Sequence, residues 1–198
     1  MLSQNIHYKN FRSNNLNKKK IITIFKKIIK SPNQVLVSLG SNYKDSYGKK
    51  FFSKLTKFNN FRIIGIGGSI LGAKAIYNFL NPLKKKFEFV DNFSHNNLKK
   101  NKKTNVTLVI SKSGNTLETI SNVNILVNKK EKNIFITEKK KSYLTDLANK
   151  LKAQIIHHNN YIGGRYSVLS EVGMLPAQLM GFKPEKFRRL NHLIKDKK

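Results

Sequence analysis

Five short apolar runs recur between residues 61 and 158: "FRIIGI" (61–66), "FEFVD" (87–91), "VTLVI" (106–110), "NIFIT" (133–137) and "QIIHH" (154–158). They are rich in β-branched and aromatic residues and mostly lack a polar residue at every second position. Strands of that kind are buried on both faces. Between them, "ILGAKAIYNFL" (70–80), "TLETISNVNILV" (116–127) and "SYLTDLANKLK" (142–152) carry helical spacing. The first stops at Asn81-Pro82 and the third starts on a serine cap. The polar segment 94–105 has only a faint helical pattern. Strands that alternate with helices predict an α/β fold, a three-layer doubly wound sandwich around a five-stranded parallel sheet.

That domain is expected to span 59–198, behind an N-terminal helical extension over 1–58. Residues 1–20 are polar and are expected to fray. "IITIFKKIIK" (21–30) sets Ile21, Ile24, Phe25 and Ile28 on one helical face. The expected fate of that face is packing on a domain with the lysines in water; a membrane-surface helix is the alternative. Residues 31–48, with Pro32, Gly40 and Gly48, read as a connector, and 49–58 as a further short helix.

The 39 Lys and Arg against 10 Asp and Glu give a formal charge of +29. Such a balance suits nucleic acid or an anionic surface. Codon bias in an AT-rich genome explains it equally simply, because Lys, Asn and Ile are all abundant. Arg, the residue of bidentate base contacts, occurs only at 12, 62, 165, 188 and 189. Nucleic acid is therefore an unexpected partner. The chain has no cysteine, which excludes disulfides and thiolate metal sites. No apolar run reaches the roughly 18 residues of a membrane span, and no secretory leader is evident. The expectation is a cytoplasmic protein without a membrane partner or cofactor.

Ligands of doubly wound sheets sit beyond the carboxyl ends of the strands. Two turns there carry unusual chemistry. Gly67-Gly68-Ser69 lets backbone approach a ligand closely, next to helix N–H groups. Ser111-Lys112-Ser113-Gly114-Asn115-Thr116 offers three hydroxyls, free N–H groups and an ammonium, all suited to phosphate oxygens. The plain structural alternatives are a tight packing turn and simple N-capping by Ser or Thr. Neither GxGxxG nor GxxxxGK[ST] occurs, so a nucleotide fold is not indicated.

"IGIGGSILGAKAI" (64–76), "LVISKSGNTLET" (108–119) and "GGRYSVLSEVGMLPA" (163–177) resemble three successive signatures of glucose-6-phosphate isomerase, in that family's order. The first two would resemble any sugar-isomerase (SIS) domain; the third is far more specific. The resemblance covers about residues 45–182. It implies that Ser111, Lys112, Ser113 and Thr116 surround the sugar phosphate. It implies that Gly68 and Ser69 form the other wall and that Arg165 stands beside the reacting carbons. Asn115 replaces a common Thr, and Glu171 a common Pro or Ala. The bland reading of Glu171 is a charge complementing a helix start.

The family's reaction moves a proton between C2 and C1 through an enediol, which needs a positioned base. In the family that base is a glutamate of an "ESNGK"-like motif in a second SIS domain, with a histidine and a lysine further on. This sequence ends at Lys198, where that domain would begin, and none of those motifs is present. Among local acids, Asp91 reads as a strand-end cap. His157-His158 would point to opposite faces of a strand, which disfavours a shared metal. His7, His95 and His192 lack a motif. The resemblance therefore implies an amino-terminal half of a glucose-6-phosphate isomerase without its base. The alternative is a non-catalytic sugar-phosphate-binding module. A homo-oligomer, or a separate chain carrying the second SIS domain, is expected to cover an apolar surface around 172–182.

Overall fold

The computed structural model describes residues 17–31, 33–82, 84–93 and 106–189. The chain forms two compact units, Met1–Asn33 and Gln34–Lys198. In the first, α1 (Lys18–Lys30) is a 13-residue helix with no buried residue. In the second, short helices α2 (Gln34–Ser38) and α3 (Lys49–Ser53) lead into the sheet. The units divide after Asn33 and not after residue 58. Tyr47, Phe51, Phe52 and Phe58 pack against the core of the second unit, and Leu55 is fully buried in it.

Five strands make one parallel sheet in the order β2-β1-β3-β4-β5. They are β1 (Asn60–Ile64), β2 (Lys86–Val90), β3 (Val106–Ile110), β4 (Lys132–Glu138) and β5 (Gln154–His158). The helices are α4 (Leu71–Leu80), α5 (Leu117–Leu126), α6 (Tyr143–Lys150), α7 (Glu171–Leu179) and α8 (Pro184–Phe187). All five strands and the three helices read between them form at or within a few residues of their predicted places. The 94–105 segment, His7, His95 and His192 lie outside the described residues.

Alternation along each strand divides the core in two. Phe61, Ile63, Leu108, Ile110, Ile134 and Ile136 face one way, into a cluster shared with Ala73 and Ile76 of α4 and Met174, Leu175 and Leu179 of α7. Ile64, Val109 and Phe135 face the other way, onto Val123 and Leu126 of α5 and Leu144 and Ala148 of α6. On this second face the buried Arg62 donates to Glu88 at 2.9 Å and to the Leu126 carbonyl at 3.5 Å, at the carboxyl end of α5. A cation there complements the helix end.

The segment 172–182 does not form the exposed apolar surface expected of it. Val172, Met174, Leu175, Ala177, Leu179 and Met180 are all buried. α7 is a core helix, drawn in by its contact with the 3₁₀ segment Gly164–Leu169 before it. A Cβ on Gly173 would stand 2.1 Å from the Val168 carbonyl oxygen, so only a glycine permits the approach. Gly173→Ala should therefore destabilise the fold by about 2 kcal/mol, lowering Tm by roughly 4–8 °C. Gly163→Ala, whose Cβ would meet only Tyr166 Cδ2 at 3.8 Å, should leave Tm unchanged. Equal melting of both variants by calorimetry would show that this contact does not matter.

Candidate functional site at the β1–β3 crevice

β1 and β3 are neighbours, but the chain leaves them in opposite directions. From β1 it passes through α4 to β2 at one edge; from β3 it passes through α5 toward β4 and β5. This is the topological switch point, and it opens a crevice between the helix N-termini. Both predicted turns stand on it. Gly67–Ser69 forms a 3₁₀ turn after β1. Ser111 to Thr116 follows β3. The two close on the same place: a Cβ on Gly65 would lie 2.9 Å from the Ile110 carbonyl oxygen and 3.1 Å from Ser69 Cβ.

The hydroxyl turn is held by its neighbours. Ser111 N–H donates to the Ile136 carbonyl at 3.1 Å, and the Lys112 carbonyl accepts from Glu138 N–H at 3.1 Å. Gly114 has φ +66°, and a Cβ there would meet Ser142 Oγ at 2.1 Å. The Gly114 carbonyl accepts from Leu144 N–H at 3.1 Å, and Asn115 Oδ1 accepts from Tyr143 N–H at 2.9 Å. Asn115 thus fastens the turn to the start of α6.

Thr116 occupies the N-cap position of α5 but makes no side-chain cap hydrogen bond. Its hydroxyl instead pairs with Ser111 Oγ at 2.9 Å and approaches Ser113 Oγ at 3.4 Å. Simple capping is therefore not its role. By contrast, α6 has a full capping box from Ser142 and Thr145, and Ser170 caps α7. The first-turn N–H groups of α5 lack both intrahelical acceptors and a side-chain cap. Lys112 points elsewhere, donating its ammonium to the Asn160 carbonyl.

The turn that carries Arg165 meets the Gly67–Ser69 turn through backbone contact. A Cβ on Gly68 would lie 2.2 Å from the Gly164 carbonyl oxygen, so the two turns touch main chain to main chain. Ser167 Oγ secures the contact, donating to the Gly68 carbonyl at 3.0 Å. Arg165 is exposed and forms no ion pair with another described residue. Sequence reasoning singled out Arg165, Gly68 and Ser69 but missed Gly164 and Ser167, which join them.

The segment bearing Arg165 is anchored at both ends. At its start, His158 Nε2 donates to the Ile162 carbonyl at 3.1 Å, and His158 Nδ1 meets Glu171 Oε1 at 2.6 Å. Tyr43 donates to Glu171 Oε2 at 2.9 Å and accepts from Asn159 Nδ2 at 2.9 Å. Burial pushes the Glu171 carboxyl up, but the His158 and Tyr43 hydrogen bonds outweigh it and hold the group below its ordinary value. The Ile162 carbonyl can only accept, so His158 Nε2 carries a proton. At the segment's end, Arg188 donates to the Leu169 carbonyl at 2.6 and 3.0 Å and to Asp45 at 2.7 Å. His157 is exposed where His158 is buried, as strand alternation predicts.

A model of the family described as phosphoglucose isomerase matches residues 42–193. The chain belongs to the phosphoglucose isomerase family. It is 36% identical over 154 residues to the glucose-6-phosphate isomerase of Mycoplasma genitalium, covering 69% of this chain and 35% of that protein. It is 34% identical to that of Methanocaldococcus jannaschii over 143 residues, covering 66% and 35%. The Acholeplasma laidlawii enzyme is 42% identical over 145 residues, covering 63% and 34%. The chain therefore spans about a third of the length of these curated relatives. In fold it matches a hypothetical protein of Thermus thermophilus with a TM-score of 0.68 at 19% identity, over 90% of this chain and 48% of that one. It also matches a protein of E. coli, solved as a complex with a small ligand, with a TM-score of 0.56 at 17% identity, over 92% and 99%.

Most of the acids among the described residues have partners. Asp91 is ion-paired to Lys74 at 2.6 Å and Glu171 is hydrogen-bonded to His158 at 2.6 Å, while Glu118, in the first turn of α5, forms no ion pair with a described residue. Asp45 is held by Arg188, Glu138 by Lys140, and Glu88 and Glu131 by Arg62. No group of three or more acids, histidines or cysteines among the described residues could hold a metal. One hollow of about 510 Å³ lies beside Phe52, Lys85 and Phe182, and another of about 430 Å³ is lined by Glu138, His157 and Asn160, the residue whose carbonyl accepts from Lys112.

The buried pair predicts a pH signature. The Glu171 carboxyl titrates lower in the folded state than in the unfolded chain. Its stabilisation is complete above the ordinary value of 4.5 and is lost as pH falls through the lower folded value. Glu171→Gln should cost about 3 kcal/mol at neutral pH by weakening the buried hydrogen bonds that the carboxylate makes with His158 and Tyr43. The gap from wild type should shrink as the solution is acidified below about pH 4.5, where the unfolded chain's carboxyl takes up its proton first and the folded one follows at lower pH. Urea titrations that give a constant gap at every pH would show that the pair carries no such linkage.

Proposed function

We propose that this chain is the sugar-phosphate-binding half of a glucose-6-phosphate isomerase, acting in the cytoplasm on the interconversion of glucose 6-phosphate and fructose 6-phosphate. The observation that carries the reading is the Ser111–Thr116 hydroxyl pair beneath the uncapped N-terminus of α5, at the sheet's switch point, in a member of this family. A phosphate dianion there takes hydrogen bonds from Ser111, Ser113 and Thr116 and from first-turn N–H groups, aided by the helix dipole. Gly68 and Ser69 form the facing wall. Lys112 joins only by releasing the Asn160 carbonyl.

With the phosphate so placed, the sugar extends toward Arg165. A base removes the C2 proton of the open-chain aldose, charge moves onto the oxygens of an enediolate, and the proton returns at C1. Arg165 stabilises that negative charge, and its anchored segment holds it in place without reorganisation. The base comes from outside this chain's described residues: Asp91 and Glu171 are already engaged by Lys74 and His158, and Glu118 sits in the first turn of α5 on the phosphate side. A second SIS domain, on a separate chain or a second copy, supplies it. Leu71, Leu117 and Tyr166, exposed by 56, 68 and 51% around the crevice, offer that domain an apolar rim.

The paired acids favour one second reading, a sugar-phosphate-binding module without isomerase chemistry. A coupled assay of fructose 6-phosphate conversion separates the two. The module predicts binding without turnover even when a second-domain chain is added; the split enzyme predicts turnover on that addition. Ser111→Ala with Thr116→Ala should weaken fructose 6-phosphate binding roughly 30-fold or more, each lost bond to a charged group costing about 1.5–3 kcal/mol. Unchanged affinity by calorimetry would remove the phosphate site from this crevice.

A further inference from the structure

The helix α1 has no part in that reading, yet its composition is the most one-sided in the molecule. The first 44 residues contain nine Lys and Arg and no Asp or Glu. Within α1, Lys18, Lys19, Lys20, Lys26, Lys27 and Lys30 are interspersed with Ile21, Ile22, Ile24, Phe25, Ile28 and Ile29. At about 100° per residue, the six apolar residues fall in one arc of roughly 160°. Every lysine except Lys18, at the first turn, falls in the opposite arc with Thr23. Thr23 bonds back to the Lys19 carbonyl within the helix at 2.9 Å.

Codon bias can load a chain with lysine and isoleucine, but it cannot sort them onto opposite faces of a helix. All six apolar residues are 40 to 62% exposed.

The sorting selects the occupant. Nucleic acid would engage the lysines and leave Ile24, Phe25 and Ile28 in water. A second copy of the helix would cover the apolar stripe but bring two lysine rims together. An anionic bilayer surface takes both faces at once, with Ile and Phe below the headgroups and lysines among the phosphates and carboxylates. Thirteen residues rise about 20 Å, and no described helix is long and apolar enough to cross a membrane. We infer that α1 is an interfacial helix that attaches the protein reversibly, lying flat, to anionic lipid membranes. This revises the sequence-based expectation of no membrane partner.

The test uses the full chain and vesicles of phosphatidylcholine alone or with phosphatidylserine. The chain should sediment only with the anionic vesicles and should be released at about 0.5 M salt, where the Debye length shrinks to a few ångströms. Because a charge of +29 could adsorb to such vesicles without α1, the deciding variant preserves charge. Ile24→Gln with Phe25→Gln should weaken binding to anionic vesicles about tenfold or more, with far-UV and melting behaviour of the rest unchanged. In Phe25→Trp, indole fluorescence should shift blue with anionic vesicles and not with neutral ones. Wild-type binding by the Gln variant, an unshifted indole, or self-association through α1 in place of vesicle binding would each overturn the inference.

Discussion

A parallel sheet has no face that tolerates water, because its crossover connections must return along the strands and cover them. Here that covering is asymmetric in sequence: α4 and α7 bury one face, α5 and α6 the other. Adjacent strands β1 and β3 therefore release their chains to opposite sides, and the crevice between those departures is unavoidable. What the sequence contributes is the lining of that crevice. It places glycine where backbone must meet backbone and hydroxyls where helix N–H groups would otherwise face water. The site is a consequence of burying Ile63, Ile64, Leu108 and Val109, dressed by a few residues that play no part in the core.

The arginine segment shows how such a site is kept rigid without regular structure. Gly164–Leu169 is a 3₁₀ run, a poor element on its own. It is held because its carbonyl and hydroxyl groups are used by three unrelated parts of the molecule. His158 donates to the Ile162 carbonyl, Ser167 to the Gly68 carbonyl, and Arg188 to the Leu169 carbonyl. Buried charge is costly, and the buried Arg188 is tolerated only because carbonyls and a carboxylate satisfy it. Asp45 shows the cost: burial lifts its carboxyl above the ordinary value in spite of the Arg188 hydrogen bond. The result is an exposed guanidinium on an anchored frame, the arrangement that charge stabilisation in a reaction requires.

Much of this was legible from local pattern. The five strands were readable because doubly buried strands are nearly continuous apolar runs, and the two turns because glycine and hydroxyls at strand ends are chemically conspicuous. The rest was hidden where meaning depends on partners distant in sequence. Glu171 reads as a helix-start charge until His158, 13 residues earlier, and Tyr43, 128 residues earlier, are brought beside it. Likewise "VGMLPAQLMGF" reads as an uncovered apolar surface, because nothing in it reveals that Gly173 draws it against Val168. The domain boundary was misplaced for the same reason. Residues 43–58 look like a polar connector and a stray helix, yet their aromatic side chains are core.

The few arginines clarify the large charge. If codon bias has loaded this chain with lysine, arginine should persist mainly where an ammonium cannot substitute. Arg62 and Arg188 are 1 and 4% exposed. Arg188 bonds the Leu169 and Tyr43 carbonyls and Asp45 together, and its guanidinium lies 5.2 Å from the Tyr43 ring centroid. Arg62 reaches Glu88, Glu131 and the end of α5 at once. Both use the flat, multiply donating shape of the group, which three tetrahedral N–H bonds of a lysine do not reproduce. Arg165 differs from these two, being exposed and without an ion-pair partner among the described residues. In a chain that uses lysine over most of its surface, an exposed guanidinium on this anchored segment fits the role proposed for Arg165 beside the substrate's negative charge.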